Sequence, residues 1–188
     1  MNEEQLWRAQ HYALLATLLA ASPSDSLLDN ITHIEVTEPE TPLGQAWQSL
    51  KEAAKLADPV AVQEEYHQVF IGLTQGELVP YGSYYQTGFL HEEPLARLRQ
   101  DLAQLGLERQ DDKKEPEDHI AAECDVMRLI LSAEGTPIVD APSFFKAHLL
   151  PWVDQFFTDL SIAESASFYR AVAQLGRAFM KSEAQLLK

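Results

Sequence analysis

Hydrophobic residues recur every three or four positions over several long segments of this chain. The first such segment contains Leu6, Ala9, Ala13, Leu14, Thr17, Leu18 and Ala21, with Glu3, Glu4 and Arg8 off the apolar stripe. This spacing places the apolar side chains on one face of a helix. The same pattern predicts further helices at about 43–56, 59–70, 94–105, 117–133 and 164–187, with a short one from Asp25 and another around Pro142.

Prolines, glycines and one polar run separate these segments. Asp58-Pro59 predicts an N-cap followed by proline in the first helical position, and Gly106 predicts a helix end. Pro151 predicts a break in the helix around it. Residues 108–118 are almost entirely polar and predict a hinge. No strand-like alternation of useful length is present.

The predicted fold class is therefore all-α, with about eight helices. Because the length is close to that of common single domains, we expect one domain over residues 1–188. The hinge at 108–118 would join an N-terminal half of about 1–107 to a C-terminal half of about 119–188.

Charge excludes several classes of partner. The chain has 14 Lys and Arg against 29 Asp and Glu, a formal net charge of −15. Nucleic acid and anionic membranes are poor partners for such a chain, whereas a basic partner is a good one. The content of 46% hydrophobic residues is enough to build a core, so disorder is not expected.

The expected location is the cytoplasm. A single cysteine, Cys124, excludes an internal disulfide and suits a reducing compartment. The acidic start of the chain does not resemble a signal peptide, and the apolar stretch from Tyr12 to Ala21 is too short to span a membrane. We therefore expect no stable membrane insertion.

Histidine and carboxylates cluster in the string Glu115-Pro116-Glu117-Asp118-His119, with Glu123 four residues further on. One interpretation is a helix start, in which Glu115 caps the helix and Pro116 takes its first position. The alternative is a metal-dependent hydrolase that uses His119, Glu123 and Asp118. The spacing favours the helix start, because no second copy of such a motif is present to complete a bundle metal site.

A second cluster is aromatic and rich in turn residues. It contains Tyr66, Phe70, Pro80, Tyr81, Ser83, Tyr84, Tyr85 and Phe89. Tyrosine combines an apolar face with a polar tip, which suits a groove for a peptide. The alternative is that Tyr66 and Phe70, four residues apart, are a core pair in a helical adaptor. That alternative is weaker for Tyr81 and Tyr84, which lie in a predicted loop.

Motifs of common enzymes are missing. The chain has no glycine-rich phosphate loop and no nucleophile elbow. We therefore assign no catalytic residue, no metal ligand and no cofactor, and a nucleotide-binding regulator ranks low.

Three strings occur in an order that resembles the TorD/DmsD/NarJ group of redox-enzyme maturation chaperones. They are Tyr66-His67-Gln68-Val69-Phe70, Pro80-Tyr81-Gly82-Ser83-Tyr84-Tyr85 and Glu115-Pro116-Glu117-Asp118-His119, and His148-x-x-Pro151-Trp152 resembles a further segment of the family. Val69 stands where leucine is usual, and Tyr81 where many DmsD-like members have tryptophan. The Glu-Pro-x-Asp-His string is the most specific of these features.

The resemblance implies a family-specific helical fold and a non-enzymatic role. Members bind the twin-arginine signal peptide of a molybdoenzyme precursor in the cytoplasm and hold it until the molybdopterin cofactor is inserted, before Tat export. Some also contact the folded body of the enzyme. GTP or molybdopterin contact is implied only by the resemblance, since no motif here supports it.

The resemblance also implies a set of peptide-binding positions. These are Tyr66, Phe70, Pro80, Tyr81, Ser83, Tyr84, Glu115, Pro116, Asp118 and His119. Asp118 would pair with an arginine and the tyrosines would cover the apolar stretch. His119 would orient Asp118 or bind a peptide carbonyl, with protonation near neutral pH tuning the affinity. The hinge at 108–118 allows either a monomer or a domain-swapped homodimer.

Overall fold

A computed structural model describes residues 2–110, 115–135 and 137–187, and within these ranges the chain is helical. The α-helices are α1 Glu3–Ala20, α2 Asp25–His33, α3 Pro42–Leu56, α4 Pro59–Tyr66, α5 Gly82–Thr87, α6 Glu93–Gln104, α7 Ile120–Ser132, α8 Ala141–Phe144, α9 Val153–Ile162 and α10 Phe168–Leu186. Two π-helical segments, His67–Ile71 and Phe145–Leu149, continue α4 and α8. The predicted all-α class is confirmed.

Local capping signals start several of these helices where the sequence predicts. The Asp58 carboxylate accepts the Val60 N–H, and Pro59 is the first residue of α4. Gly106 follows α6 with a φ of 70°, in the left-handed region that glycine adopts without strain. Pro151 lies between the π-helical segment Phe145–Leu149 and α9. These ends are set by residues within a few positions of each terminus.

The start of α7 differs from the prediction. The helix begins at Ile120 rather than at about Glu117, and its N-cap is His119, whose Nδ1 accepts the Ala121 N–H at 3.1 Å. The expectation that Glu115 caps the helix with Pro116 in its first position is wrong. Residues 116–118 form a turn before the helix, because their backbone pairs with another segment described below.

The chain divides into two compact units. The first consists of Met1–Ala20, Pro80–Val153 and Leu187–Lys188, and the second of Ala21–Val79 and Asp154–Leu186. Part of the predicted hinge, residues 111–114, lies outside the described residues. Both described flanks of the hinge belong to the first unit, and the hinge itself stays a prediction.

In the first unit, α1 packs along α7, which also contacts α8 and the π-helical segment after it. The residues at this packing that are fully or almost fully buried include Tyr12, Leu15, Leu19, Ile120, Cys124 and Met127. In α6, Leu95, Leu98 and Leu102 are buried at the helical spacing that the sequence shows.

In the second unit, α10 packs on α3 and α4, and α2 packs on α3. Gly176 of α10 lies against the Phe157 ring, where an added Cβ would come within 2.2 Å of ring carbons. Only glycine fits at such a contact between two helices. Within the part of the chain that the structure describes, no helix is long and apolar enough to cross a membrane.

Glu65 fixes the start of α10. Its buried carboxylate accepts the backbone N–H groups of Ser167, Phe168 and Tyr169 at 2.8, 3.1 and 2.7 Å. The first N–H groups of a helix have no partner within the helix, so this carboxylate from α4 satisfies them. The last helix therefore begins at Phe168, four residues after the predicted start.

We predict that Glu65→Ala lowers the free energy of unfolding by about 2 kcal/mol, because buried helix N–H groups lose their acceptor. Glu64→Ala is the matched control, since Glu64 is the preceding residue of α4 and is exposed. Urea unfolding followed by circular dichroism measures both variants. Equal midpoints for the two would contradict the capping role.

Candidate functional site

Two of the motif strings meet within the first unit. Tyr81 and His119 form an antiparallel β-bridge. The Gly82 N–H donates to the Asp118 carbonyl at 2.8 Å, and the Ile120 N–H donates to the Pro80 carbonyl at 2.9 Å. We call this pairing of residues 80–83 with residues 116–120 the junction. It joins the start of α5 to the start of α7.

Asp118 strengthens the junction with its side chain. It is 1% exposed, and its Oδ2 accepts the Ser83 N–H at 2.7 Å. Together with its carbonyl bond to Gly82, Asp118 therefore accepts two consecutive N–H groups from the start of α5. A charged acceptor makes a stronger hydrogen bond than a neutral one, so this contact is a main link between the two segments.

Gly82 is required by close packing. A Cβ at this position would lie 3.0 Å from Trp152 Nε1 and 3.1 Å from Glu123 Oε1. Trp152 is held in place because its indole N–H donates to the His148 carbonyl at 2.7 Å. The imidazole of His148 contacts Asp101 at 2.7 Å. Gly82 thus lets the junction approach α7 and the aromatic ring beside it.

Glu123 lies in α7 at the inner side of the junction and is 2% exposed. Burial raises the pKa of this carboxyl well above its ordinary value, and the negative charge of Asp118 raises it further. Glu123 therefore holds its proton more tightly than an exposed glutamate does. A neutral Glu123 avoids placing a second buried negative charge beside Asp118.

Three buried oxygen atoms at the junction have no hydrogen-bond partner among the described residues. They are Ser83 Oγ, Asp118 Oδ1 and Glu123 Oε2. Burying polar groups without partners costs stability. These atoms make the junction a locally unfavourable part of the core.

The His119 ring packs edge-on against Tyr81, with ring centroids 5.2 Å apart. Its Nδ1 accepts the Ala121 N–H, so the neutral ring carries its proton on Nε2. Desolvation lowers the pKa of His119 to about 4, although the charges of Glu115 and Asp118 oppose this. The expectation that His119 titrates near neutral pH is therefore wrong.

The outer side of the junction carries the exposed candidates. Tyr84 is 38% exposed, Tyr81 and Pro116 are half-buried, and Glu115 is exposed. The Tyr81 hydroxyl donates to the Glu115 carboxylate. Because neither tyrosine is fully buried, the interpretation of the chain as an adaptor with core tyrosines is not supported here.

Tyr66 and Phe70 lie in the second unit. Their rings are 5.1 Å apart, and both contact Tyr169, at 5.8 and 5.2 Å. Phe70 is 9% exposed. The structure thus groups eight of the ten candidates in the first unit and places these two in an aromatic cluster of the second.

Sequence reasoning did not place Gly82 or Trp152 in the site. Gly82 stands between two candidates in a predicted turn, which is a signal for a close backbone approach. Trp152 is 70 residues away in the chain, and nothing in the local sequence connects it to Gly82.

The metal-dependent hydrolase is not favoured. Among the residues that the structure describes, no three His, Cys, Asp or Glu side chains are grouped so that they could hold a metal ion. Of the proposed ligands, His119 uses Nδ1 to cap α7, and burial raises the pKa of Glu123, which disfavours the carboxylate that a metal needs.

The raised pKa of Glu123 predicts a pH effect on stability. The folded state holds this proton more tightly than the unfolded state, so its contribution is full below pH 4.5 and is lost as the pH rises through the folded-state pKa. The Glu123→Gln variant has no proton to lose at this position, so its stability does not fall with pH for this reason. We therefore expect the stability of Glu123→Gln relative to the parent to increase as the pH rises above 4.5, by up to about 1.4 kcal/mol per pH unit.

Urea unfolding at each pH measures the difference between Glu123→Gln and the parent, in which titration of other groups such as His119 largely cancels. Glu4→Gln, an exposed position, is the control and should show a difference independent of pH. A pH-independent difference for Glu123→Gln as well would contradict a raised pKa of Glu123 in the folded state.

The sequence matches a known family. Residues 37–158, more than half of the chain, match the family model described as nitrate reductase delta subunit. The chaperone protein TorD of Vibrio atlanticus is 28% identical over 203 residues, covering 96% of this chain and 94% of that protein. DmsD of Haemophilus influenzae, named as a Tat proofreading chaperone, is 33% identical over 116 residues, covering 61% of this chain and 56% of that protein.

A solved structure shares the fold. The crystal structure assigned to a redox enzyme maturation protein from Archaeoglobus fulgidus has a TM-score of 0.58 and 20% identity, and the match covers 93% of each chain. At this identity the likeness concerns the fold alone. The family match shows that this chain belongs to the nitrate reductase delta subunit family, the TorD/DmsD/NarJ group of redox-enzyme maturation chaperones, which is not a family of catalytic enzymes.

Proposed function

We propose that this chain binds the twin-arginine signal peptide of a molybdoenzyme precursor in the cytoplasm. It retains the precursor until the molybdopterin cofactor is inserted and folding is complete, before Tat export. The names of the TorD and DmsD relatives support this proposal. Contact with the folded body of the enzyme is part of the same proposal.

The observation that carries the proposal is the junction. It brings two strings that are more than 30 residues apart in the sequence together by a β-bridge and the Asp118–Ser83 bond. Tyr81, Tyr84 and Glu115 then share the same part of the first unit as exposed or half-exposed groups. These residue types suit a peptide that has arginines followed by an apolar stretch.

The candidates divide into two roles in this proposal. Tyr81, Tyr84 and Glu115 contact the peptide, with the carboxylate as acceptor for a guanidinium and the rings against apolar or planar groups. The buried Asp118 and Ser83 position those residues and do not pair with an arginine in the conformation described. Pro80, Pro116 and His119 complete the junction, and Tyr66 and Phe70 remain candidates of the second unit.

The charge of the whole chain supports a basic partner. A protein with a net charge of −15 attracts a peptide with adjacent arginines over a distance set by the ionic strength. This attraction raises the association rate more than it fixes the affinity. Specificity therefore has to come from local contacts at the junction.

We predict that isothermal titration calorimetry detects binding of at least one leader from a panel of synthetic twin-arginine leaders of the host's own molybdoenzyme precursors. Glu115→Gln should weaken the tightest of these complexes about two- to fivefold, since an exposed charge pair contributes little. Glu40→Gln, which removes one exposed charge from the second unit, is the matched control.

Asp118→Ala should weaken the same complex more than Glu115→Gln does, because it releases the Ser83 N–H and disorganises the junction. Circular dichroism distinguishes this local effect from unfolding. A panel in which no leader binds, or in which leaders with a scrambled sequence bind equally, would contradict the proposed function.

A further inference from the structure

The turn between α5 and α6 exposes large apolar side chains that no core requires. Every residue from Thr87 to Glu93 is exposed. Within this turn Phe89 is 69% exposed and Leu90 is 41% exposed, and Tyr84 precedes them at 38%. We call Tyr84, Phe89 and Leu90 the Phe89 surface.

The turn that carries this surface is ordered by its own hydrogen bonds. The Thr87 hydroxyl accepts the Phe89 N–H at 3.2 Å and donates to the Ser83 carbonyl at 2.9 Å. The Gly88 N–H donates to the Tyr84 carbonyl at 2.7 Å, with a φ of 84°. The apolar side chains are thus presented by a defined backbone rather than by a loose loop.

One residue of the turn adopts a strained backbone. His91 has a φ of 63°, and it is the only non-glycine residue with a positive φ in the part of the chain that the structure describes. L-residues avoid this region because the side chain approaches the backbone. Strain of this kind persists where surrounding structure enforces it and is common at binding sites.

The negative charge near the Phe89 surface distinguishes between two partners that could cover it, a second copy of this chain and a basic segment with an apolar stretch. Glu92 and Glu93 lie two and three residues after Leu90, and both are exposed. A second copy of the chain would bring another net charge of −15 against this edge, which repulsion opposes. A segment that combines basic residues with an apolar stretch complements both the acids and the apolar side chains.

We propose that the Phe89 surface binds the apolar stretch of the twin-arginine leader. This inference rests on the proposed function, and it adds Phe89 and Leu90 to the binding residues. Tyr84 connects the junction to the Phe89 surface. It follows Ser83 of the junction, and its carbonyl accepts a hydrogen bond within the turn. The basic part of the leader then lies towards the acids, and the apolar part lies on the aromatic and aliphatic side chains.

The test compares the parent with a double variant that carries both Phe89→Ser and Leu90→Ser. The ligand is the leader that binds most tightly in the panel described above. The variant should weaken binding at least tenfold, because two apolar side chains lose burial in the complex. Ile138→Ser is the control, since Ile138 is 79% exposed in the same unit. It should change the affinity less than twofold, and urea unfolding should give all three proteins similar midpoints.

The outcomes separate this inference from the proposed function. If the parent binds the leader and the double variant binds it equally well, the inference is overturned and the proposed function stands. If the parent binds no leader, both are overturned.

A photo-crosslinking residue at position 89 supplies an independent measurement. Mass spectrometry should locate the crosslink in the apolar stretch of the leader. A crosslink to a second copy, together with a dimer in light scattering that the double variant abolishes, would assign the surface to self-association and overturn the inference. A crosslink only to the folded body of a precursor would overturn it as well.

Discussion

The candidate site depends on a pair of hydrogen bonds that Asp118 accepts from the start of α5. Its carbonyl accepts the Gly82 N–H and its carboxylate accepts the Ser83 N–H. These bonds connect segments 35 residues apart and hold Tyr81 against His119. Together with the bond from the Ile120 N–H to the Pro80 carbonyl, they fix the exposed residues of the two segments relative to one another.

This link places a buried negative charge in the first unit, and the surroundings reduce the cost. Burial and that charge both raise the pKa of Glu123, which favours its protonated form beside Asp118. The absence of a side chain at Gly82 lets the backbone N–H reach the Asp118 carbonyl while Trp152 packs behind it. The charge of Asp118, the raised pKa of Glu123 and the close packing at Gly82 therefore depend on one another.

The sequence predicts the parts of this structure that local interactions decide. Asp58 and Pro59 start α4, and Gly106 ends α6, because the residues that satisfy these helix ends are their neighbours in the chain. Prediction fails where a residue distant in the sequence decides where a helix begins. Pro116 resembles a first helical residue, but the bridge to Tyr81 moves the start of α7 to Ile120. Glu65 of α4 likewise decides where α10 begins.

The candidate site likewise depends on contacts between residues that are distant in the sequence. The order of the motifs leads to the correct family, since residue identity alone carries the resemblance. Whether Asp118 is exposed or buried depends on contacts with Gly82 and Ser83, which no local pattern shows. The sequence therefore leads to an expected pairing of Asp118 with arginine, whereas its 1% exposure and its bond to Ser83 indicate a positioning role.

The separation of buried and exposed residues also bears on client choice. A side chain at Gly82 would crowd Trp152 and Glu123, and changes at Asp118 leave buried groups without partners, so we expect the junction to tolerate little variation. Tyr84, Phe89 and Leu90 face solvent and can change with little effect on stability. Under the proposed function, a rigid link that carries exposed side chains separates the stability of the fold from the choice of leader. We therefore expect substitutions at these exposed positions to change which leader is bound at nearly constant stability.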